Sequence, residues 1–304
     1  MQDYFTNGEG RHLATRRRQL KLIKFVFAEH LRATASNLRP TDLQLTADAH
    51  HSASSASRAV AYVKPLCRWA SKRGFMPTGF HELEKPLEKN SRVGGQGFLD
   101  SGMLRKVLPA LAGPHGQAAR VMLLTGCRRS EVCGATWGEF DLAAGTWTIA
   151  AKRRKDTRSQ TRKNVAPTQP HVIPLPTQVI AILQALKALS SGDSDLVFRN
   201  KSGGELDNWD RWSKRIFEAT DTTGWSRHDL RRTCGTLAAD LGAAPHIVSV
   251  ILGHKNPEHN QLLGTYNKSR YRREHAEALQ RVADLIATLE GGASNVVSLR
   301  VKSA

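Results

Sequence analysis

The sequence predicts a mainly α-helical protein with a small β-sheet, of the α+β class. Apolar side chains recur at helical spacing along much of the chain, whereas two short runs, Trp147-Thr148-Ile149 and Val172-Ile173-Pro174-Leu175, are β-prone. The chain has 304 residues, of which 40% are hydrophobic, and this is enough for two modest domains that each bury a core.

The first part of the chain is predicted to be helical. Residues 11–31 and 57–73 each place apolar side chains at helical spacing among basic ones, which is typical of amphipathic helices. Residues 46–57, rich in Ala, Ser and His, are predicted to form a loop and the start of a helix. Residues 88–97 contain Asn-Ser and Gly-Gly pairs, which favour a linker with the domain boundary near residue 93.

This boundary gives a helical domain of residues 1–92, a larger domain of residues 93–290 and a tail of residues 291–304. In the larger domain, Asp100 or Ser101 is predicted to cap a first helix that runs to Leu111. The two β-prone runs are predicted to form a hairpin or small sheet around a polar, basic stretch. Further helices are predicted over residues 118–124, from 130, and over 178–189, 207–219, 228–241, 245–252 and 273–289.

The charge of the chain predicts a nucleic-acid partner. Lys and Arg number 45 against 27 acidic residues, and the resulting formal charge of +18 attracts phosphate backbones. A membrane partner is not expected, because no apolar run approaches the roughly 20 residues of a membrane span. The N-terminus also lacks the basic-then-apolar order of a secretory signal, so we expect a cytoplasmic, nucleoid-associated protein.

The four cysteines, at positions 67, 127, 133 and 234, do not have the spacing of metal ligands. We expect them to be reduced thiols. We expect no metal site and no other cofactor.

Basic residues cluster in four runs of the sequence. A single charged run is usually a solvated face, but four such runs on a basic chain favour contact with DNA. The runs are Arg16-Arg17-Arg18, Lys152-Arg153-Arg154-Lys155, Arg231-Arg232 and Arg270 to Arg273. The predicted DNA-binding residues are Arg16, Arg17, Arg18, Lys152, Arg153, Arg154 and Arg232.

Two local patterns supply residue types that suit a scissile phosphate. Arg128 follows Thr125-Gly126 at a predicted helix junction, and a planar guanidinium can donate two hydrogen bonds to one phosphate. His228 and Arg231 lie three residues apart on a predicted helix and therefore share one face. Taken singly, Arg128 fits a surface turn equally well and His228 an ordinary helix start; together with Arg231 they predict a phosphate clamp.

A tyrosine is the candidate nucleophile. A phenol has a pKa near ~10, so neighbouring cations or a base must favour the phenolate at neutral pH. The chain has four tyrosines, at positions 4, 62, 266 and 271. Tyr266 and Tyr271, the latter in a basic run, are the two candidates considered, and a half-buried packing role remains the alternative for Tyr266.

The ordered motifs resemble the tyrosine recombinase family, also called phage integrases. The resemblance covers roughly residues 97–290 and rests on Leu123 to Glu131, His228 to Thr233, Leu252-Gly253-His254 and Thr265-Tyr266. The Ala-Ala-Lys-Arg-Arg-Lys run and the Pro-His-Val-Ile-Pro-Leu segment are similar to the genomic-island and satellite-phage branch of that family.

The resemblance implies a helical core-binding domain and a catalytic domain that form a C-shaped clamp on DNA. It implies Tyr266 as nucleophile, Lys155 as general acid with Lys152 and Lys163 as alternatives, and Glu131 as the support of Arg128. His254 is implied as a donor to the scissile phosphate, although a histidine at a helix end explains it equally well. The implied catalytic set is Arg128, Lys155, His228, Arg231, His254 and Tyr266.

The resemblance also implies the reaction and its partners. Cleavage of double-stranded attachment sites through a 3′-phosphotyrosyl link, without metal or ATP, would integrate or excise a mobile genetic element. Four protomers on DNA would exchange strands, and accessory DNA-bending or excision proteins are possible partners. Three other functions stay open: a DNA-binding regulator without cleavage, a metal-dependent nuclease or transposase, which needs a carboxylate cluster, and a type IB topoisomerase.

Overall fold

The computed structural model describes residues 13–86, 97–154, 169–190, 195–254 and 271–291. The chain divides into two compact units, Met1–Val93 and Gly94–Ala304. The predicted fold class is confirmed, because helices dominate both units and a small three-stranded sheet lies in the second. Among the described residues, no helix is both long enough and apolar enough to span a membrane.

Within its described residues, the first unit contains three α-helices, and α3 packs against α1 and α2. Their bounds are Leu13–Val26 for α1, Pro40–Ala49 for α2 and Ala53–Ser71 for α3. The core of this unit is formed by apolar side chains that include Ile23, Phe27, Leu43, Val60 and Leu66.

Helix bounds in this unit differ from the sequence prediction. Helix α1 ends at Val26, and a 3-10 turn replaces the rest of the predicted segment. Helix α2 was not predicted, although Pro40 at its first turn and Asp42, whose carboxylate accepts the backbone N–H of Arg39, are helix-start signals. Helix α3 begins four residues before the predicted start because Ser52 caps it through the N–H of Ser55.

The second unit contains eight α-helices within the described residues and the sheet. Asp100 caps the first helix of the unit by accepting the N–H of Met103 at 2.8 Å. That helix ends at Val107, short of the predicted Leu111, and a 3-10 turn that includes Pro109 follows it. The bounds are Ser101–Val107 (α4), Gly113–Thr125 (α5), Arg129–Cys133 (α6), Thr177–Ala188 (α7), Trp209–Thr220 (α8), Arg227–Asp240 (α9), Pro245–Ile251 (α10) and Arg272–Glu290 (α11).

The sheet has three antiparallel strands in the order β1-β2-β3. Strands β2 (Thr146–Ile149) and β3 (His171–Pro174) correspond to the predicted β-prone runs, and Ile149 lies opposite His171. Strand β1 (Phe140–Asp141) was not predicted, because a run of two residues carries no readable alternation. The inward side chains Trp147, Ile149 and Ile173 are fully buried.

The core of the second unit positions the elements that carry the candidate site. Helix α9 packs along α5, and α11 packs against α9, α10 and β3. The buried positions on α9 include Leu230, Cys234 and Ala238, which follow the helical period and face this core. The ends of α5 and α10 and the start of α9 therefore have fixed places in one packed unit.

Candidate active site

Arg231 is a buried arginine that joins two helix ends. It is 4% exposed on α9, and its Nη1 donates to the carbonyl of Gly126 at 2.6 Å. Its Nη2 donates to the carbonyl of Leu252 and to Nε2 of His254, the latter at 3.1 Å. A buried guanidinium requires such acceptors, since the cost of burying an unpaired charge is large.

The two turns that Arg231 joins both depend on glycine. Helix α5 ends at Gly126, whose φ of +67° places it in the left-handed region. Helix α10 ends in a Schellman motif, in which Gly253 has a φ of +56° and donates to Val250, while His254 donates its backbone N–H to Ser249. The Leu-Gly-His sequence thus fixes the backbone of His254 directly after the helix.

Arg128 precedes α6 and is held by Glu131. One oxygen of the Glu131 carboxylate accepts the Arg128 backbone N–H at 2.7 Å, and the other accepts Nη1 at 3.0 Å. Glu131 is 2% exposed, whereas the Arg128 side chain is 24% exposed. The contact predicted between this pair is therefore present, and it leaves the arginine partly open to a ligand.

The two candidate histidines both lie in a positive field. Burial, followed by Arg231, Arg128 and His228, lowers the pKa of His254 from its ordinary value. Burial, followed by Arg232 and Arg231, likewise lowers the pKa of His228, with Asp229 acting in the opposite direction. Both shifts favour the neutral imidazole at pH 7. Because a guanidinium can only donate, Nε2 of His254 accepts from Arg231 and the ring proton lies on Nδ1.

The start of α9 is closed by a capping box between Ser226, its N-cap, and Asp229. One carboxylate oxygen accepts both the backbone N–H and the hydroxyl of Ser226, at 2.7 and 2.9 Å. The other oxygen accepts Nη1 of the exposed Arg232 at 2.8 Å. This cap orients the first turn, which carries His228, one turn before Arg231.

The basic run after β2 contains residues of two kinds. Lys152 is exposed, whereas Arg153 and Arg154 are only partly exposed. Arg153 donates to the carbonyls of Glu131 and Gly134, and Arg154 donates to the carbonyls of Gln169 and Gly253. Sequence reasoning missed these internal contacts, since a basic run gives no signal of which members turn inward.

Several predicted residues lie outside the described residues. These are Tyr266, Lys155 and Lys163, so their roles stay predictions. The alternative nucleophile Tyr271 precedes α11 and packs against the core. Its ring centroid lies 4.8 Å from that of His246. Tyr62 packs against the core of the first unit. Within the described residues, both tyrosines have packing roles.

The predicted DNA-binding residues of the first run are at the surface where they are described. Arg17 and Arg18 on α1 are exposed, and the side chain of Arg16 lies outside the described set. In the part of the chain that the structure describes, no group of three His, Cys, Asp or Glu side chains is placed to hold a metal ion.

The sequence matches the model of the phage integrase family over residues 110–273, which is more than half of the chain. The chain belongs to the phage integrase family. The matched region of this integrase-family chain contains Arg128, His228, Arg231 and His254, the four residues that the fold gathers around two glycine turns.

Curated integrases and recombinases are similar to this family member in part of their length. Prophage integrase IntA of Escherichia coli (strain K12) is 28% identical over 174 residues, which cover 56% of this chain and 38% of the relative. The integrase of Enterobacteria phage P4 is 36% identical over 107 residues, 33% of this chain and 24% of that protein. Tyrosine recombinase XerC of Oceanobacillus iheyensis is 26% identical over 236 residues, 75% of each chain. The chain thus spans less than half the length of the first two relatives.

Solved integrase structures have a similar fold. A lambda integrase dimer bound to a COC' core site has a TM-score of 0.65 at 15% identity, covering 84% of this chain and 93% of that chain. The Tn1549 transposon integrase in complex with circular intermediate DNA has a TM-score of 0.56 at 17% identity, covering 91% and 95%. At these identities the likeness concerns the fold.

Proposed function

We propose that this chain is a site-specific DNA recombinase that cleaves and rejoins DNA through a 3′-phosphotyrosyl intermediate, without metal or ATP. The observation that carries the proposal is the anchoring of Arg231 to the Gly126 and Leu252 carbonyls beside His254. A cation fixed in this way needs little reorganisation when negative charge develops on a phosphate.

The proposed phosphate site uses three side chains, two arginines and a histidine. Arg128 is partly exposed and held by Glu131, so its remaining N–H groups are available to a non-bridging oxygen. Arg231 supplies a fixed positive charge beside His254, and the Nδ1–H of neutral His254 supplies a donor. Together these groups stabilise the charge of a five-coordinate phosphorus.

The proposed cleavage step is a direct displacement at phosphorus. The phenolic oxygen of Tyr266 forms a bond to phosphorus, and the bond from phosphorus to the 5′ oxygen breaks. Neutral His228 accepts the phenol proton, in keeping with its lowered pKa, and Lys155 donates a proton to the departing 5′ oxygen. Attack of a 5′ hydroxyl from a partner duplex reverses these steps, so the bond energy is conserved in the phosphotyrosine.

The proposed partners are double-stranded attachment sites and further copies of this chain. A lambda integrase tetramer bound to a Holliday junction has a TM-score of 0.63 with this chain at 15% identity, covering 84% of this chain and 75% of that chain. By analogy, four protomers would bind two DNA sites in the cytoplasm, within the nucleoid, with DNA-bending or excision proteins as accessory factors. Such a reaction would integrate or excise a mobile element.

The proposed domain roles follow the two units of the chain. The first unit, with exposed Arg17 and Arg18 on α1, is the proposed core-type DNA-binding domain, and the second is the proposed catalytic domain. On DNA the two would act as a C-shaped clamp.

A trapping experiment tests the proposed chemistry. DNA carrying the sequence that flanks the gene is nicked next to each candidate cleavage position, so that a short 5′ product diffuses away and the adduct persists. The DNA is incubated with the protein and a chelator, and covalent adducts are separated on a denaturing protein gel. We expect an adduct with the wild type and with Tyr271→Phe, and none with Tyr266→Phe.

The other outcomes distinguish the remaining functions. An adduct lost only in Tyr271→Phe would move the nucleophile, and cleavage that needs a divalent cation would indicate a metal-dependent nuclease. DNA binding without an adduct at any position would indicate a regulator. Relaxation of plasmids that lack a specific site would favour topoisomerase activity over recombination.

A further inference from the structure

Two consecutive arginines after β2 extend into the protein in different directions. Arg153 forms an ion pair with Glu139, with 3.1 Å between Nη1 and Oε1, and the two side chains are 20% and 12% exposed. It also donates to the carbonyls of Glu131 and Gly134, which lie in and just after α6. Arg153 therefore fastens the end of β2 to the helix that begins after Arg128.

Arg154 extends toward the end of α10. Its Nη1 donates to the carbonyl of Gln169 at 2.7 Å, and its Nη2 donates to the carbonyl of Gly253 at 2.9 Å. Arg154 and Gln169 are the described residues on either side of the β2–β3 connection, so one guanidinium joins the two ends of that connection to the turn of Gly253.

The space around Gly253 is closed by the same arginine. A Cβ on Gly253 would lie 2.8 Å from Arg154 Nη2 and 3.2 Å from two ring atoms of His171. His171 in turn contacts the carbonyl of Val250 through Nε2 at 3.1 Å. The turn before His254 is therefore held by Arg154 and His171 on one side, while Arg231 holds the carbonyl of Leu252.

We propose that Arg154 is a positioning residue, which fixes the Gly253 carbonyl and thereby holds His254 beside Arg231 and next to the scissile phosphate. Its guanidinium serves this purpose instead of contacting DNA, whereas Lys152 is exposed and, among the described residues of the run, is the proposed contact to the phosphate backbone. The inference rests on the proposed function for the phosphate, but the placement of His254 can be tested without DNA.

The DNA-free test follows the imidazole of His254 by NMR in histidine-labelled protein, with His254→Gln used to assign its signal. Arg154→Gln removes the hydrogen bonds to the Gln169 and Gly253 carbonyls, so we expect the pKa of His254 to rise toward its ordinary value as the ring moves away from Arg231 and Arg128. Arg211→Gln, which removes one charge from an exposed position on α8, is the matched control and leaves this pKa unchanged. An unchanged His254 titration in Arg154→Gln overturns the proposal.

The DNA test separates positioning from phosphate contact. We measure the cleavage rate constant at saturating nicked DNA, and the slope of log affinity against log salt concentration. For Arg154→Gln we expect a rate about 10- to 100-fold lower, because a small misplacement of a catalytic group is costly, with an unchanged salt slope. Lys152→Gln provides the reference for a lost phosphate contact, with a slope reduced by about 1.

A reduced salt slope with an unchanged cleavage rate in Arg154→Gln overturns the proposal, because it identifies a DNA contact. If Arg154→Gln does not fold, Arg154→Lys provides the test, since a single ammonium cannot span both carbonyls and the charge is kept. We expect the same change in the His254 titration from Arg154→Lys, and its absence contradicts the proposal. A wild-type protein that forms no adduct with DNA disproves the proposed function alone, and the titration then decides the role of Arg154.

Discussion

At the scale of single residues, the site depends on the fixed fork of a guanidinium. Arg231 reaches a carbonyl from each of two turns and also a histidine ring, with two of its nitrogen atoms. Its burial lowers its pKa, and Arg128 adds to that effect, so the folded protein holds two cations close together. A bound phosphate would offset this repulsion.

Replacing Arg231 by lysine tests this role. A compact ammonium cannot reach both carbonyls and His254, so a buried acceptor loses its partner and the proposed phosphate site loses a fixed cation. We expect a cleavage rate lower by about 10²–10³-fold and a free energy of unfolding lower by about 1–3 kcal/mol. Single-turnover cleavage and urea unfolding measure the two effects.

The matched substitution for stability is Arg232→Lys on the next, exposed position. The Arg232 side chain of the ion pair with Asp229 is exposed to solvent, and ion pairs with an exposed partner stabilise a protein by roughly 0–1 kcal/mol. Equal losses of stability in the two variants would argue against a structural role for the buried fork of Arg231.

The sequence predicted which residue types form the site better than it predicted the directions in which their side chains extend. The contact of Arg128 with Glu131 could be predicted because a three-residue spacing at a helix start brings the two together. The inward direction of Arg154 could not, since its acceptors at Gln169 and Gly253 are 15 and 99 residues away. Local spacing carries no information on such distant partners.

At the scale of elements, two glycine turns determine where the site forms. Gly126 ends α5 and presents its carbonyl to Arg231, while Gly253 ends α10 and precedes His254. Both turns use the left-handed backbone region, which costs other residues about 1–2 kcal/mol. The Thr125-Gly126 and Leu252-Gly253 pairs in the sequence therefore mark the two ends correctly.

We expect Gly126→Ala to destabilise the protein more than Gly242→Ala. Both glycines have a positive φ, +67° and +88°, so both substitutions strain the backbone. Only at Gly126 would the new Cβ be crowded, at 3.1 Å from Ile251, whereas nothing lies within 4 Å at Gly242. Urea unfolding measures both variants, with a loss of about 1 kcal/mol expected for Gly242→Ala and more for Gly126→Ala.

An equal loss in the two glycine variants would show that backbone strain alone determines the cost. It would then follow that the contact between the ends of α5 and α10 adjusts to an extra methyl group. Cleavage by Gly126→Ala would in that case remain close to wild type.

Some elements could not be predicted because their signals are short or act against the local pattern. Helix α2 begins with Pro40 in a segment of low amphipathic contrast, and its buried residues are only Leu43 and Ala47. Strand β1 has two residues and exists because β2 lies beside it. Long periodic segments such as α9 and α11 could be predicted to within one or two residues.

At the scale of the whole molecule, the charge of +18 bears on the proposed binding of DNA. Such an excess predicts binding that weakens steeply with salt, because each phosphate contact releases a counterion. The proposed contacts in the first unit, Arg17 and Arg18, are exposed on α1. The effect of net charge can be distinguished from that of a local phosphate contact by removing the same number of charges at two different places on the surface.

We expect the double variant Arg17→Gln with Arg18→Gln to reduce the slope of log affinity against log salt by about 2, one for each lost phosphate contact. The matched control removes the same charge from two exposed lysines, with Lys187→Gln and Lys201→Gln, and changes the slope little. Fluorescence anisotropy of labelled DNA at several salt concentrations measures both. Equal reductions would show that net charge, not a contact on α1, controls binding.

The burial of all four cysteines makes it possible to label the protein at an introduced cysteine and to follow the proposed assembly of several copies on DNA. All four thiols are free and buried, and burial raises the pKa of Cys67 and Cys133 to about 11 and that of Cys234 to about 12, with Cys127 shifted in the same direction. Maleimides react with thiolates, so the native cysteines react slowly at neutral pH. A cysteine introduced at an exposed position such as Lys187 therefore accepts a fluorophore selectively, and energy transfer between donor- and acceptor-labelled copies would report the proposed synapsis without removal of any native thiol.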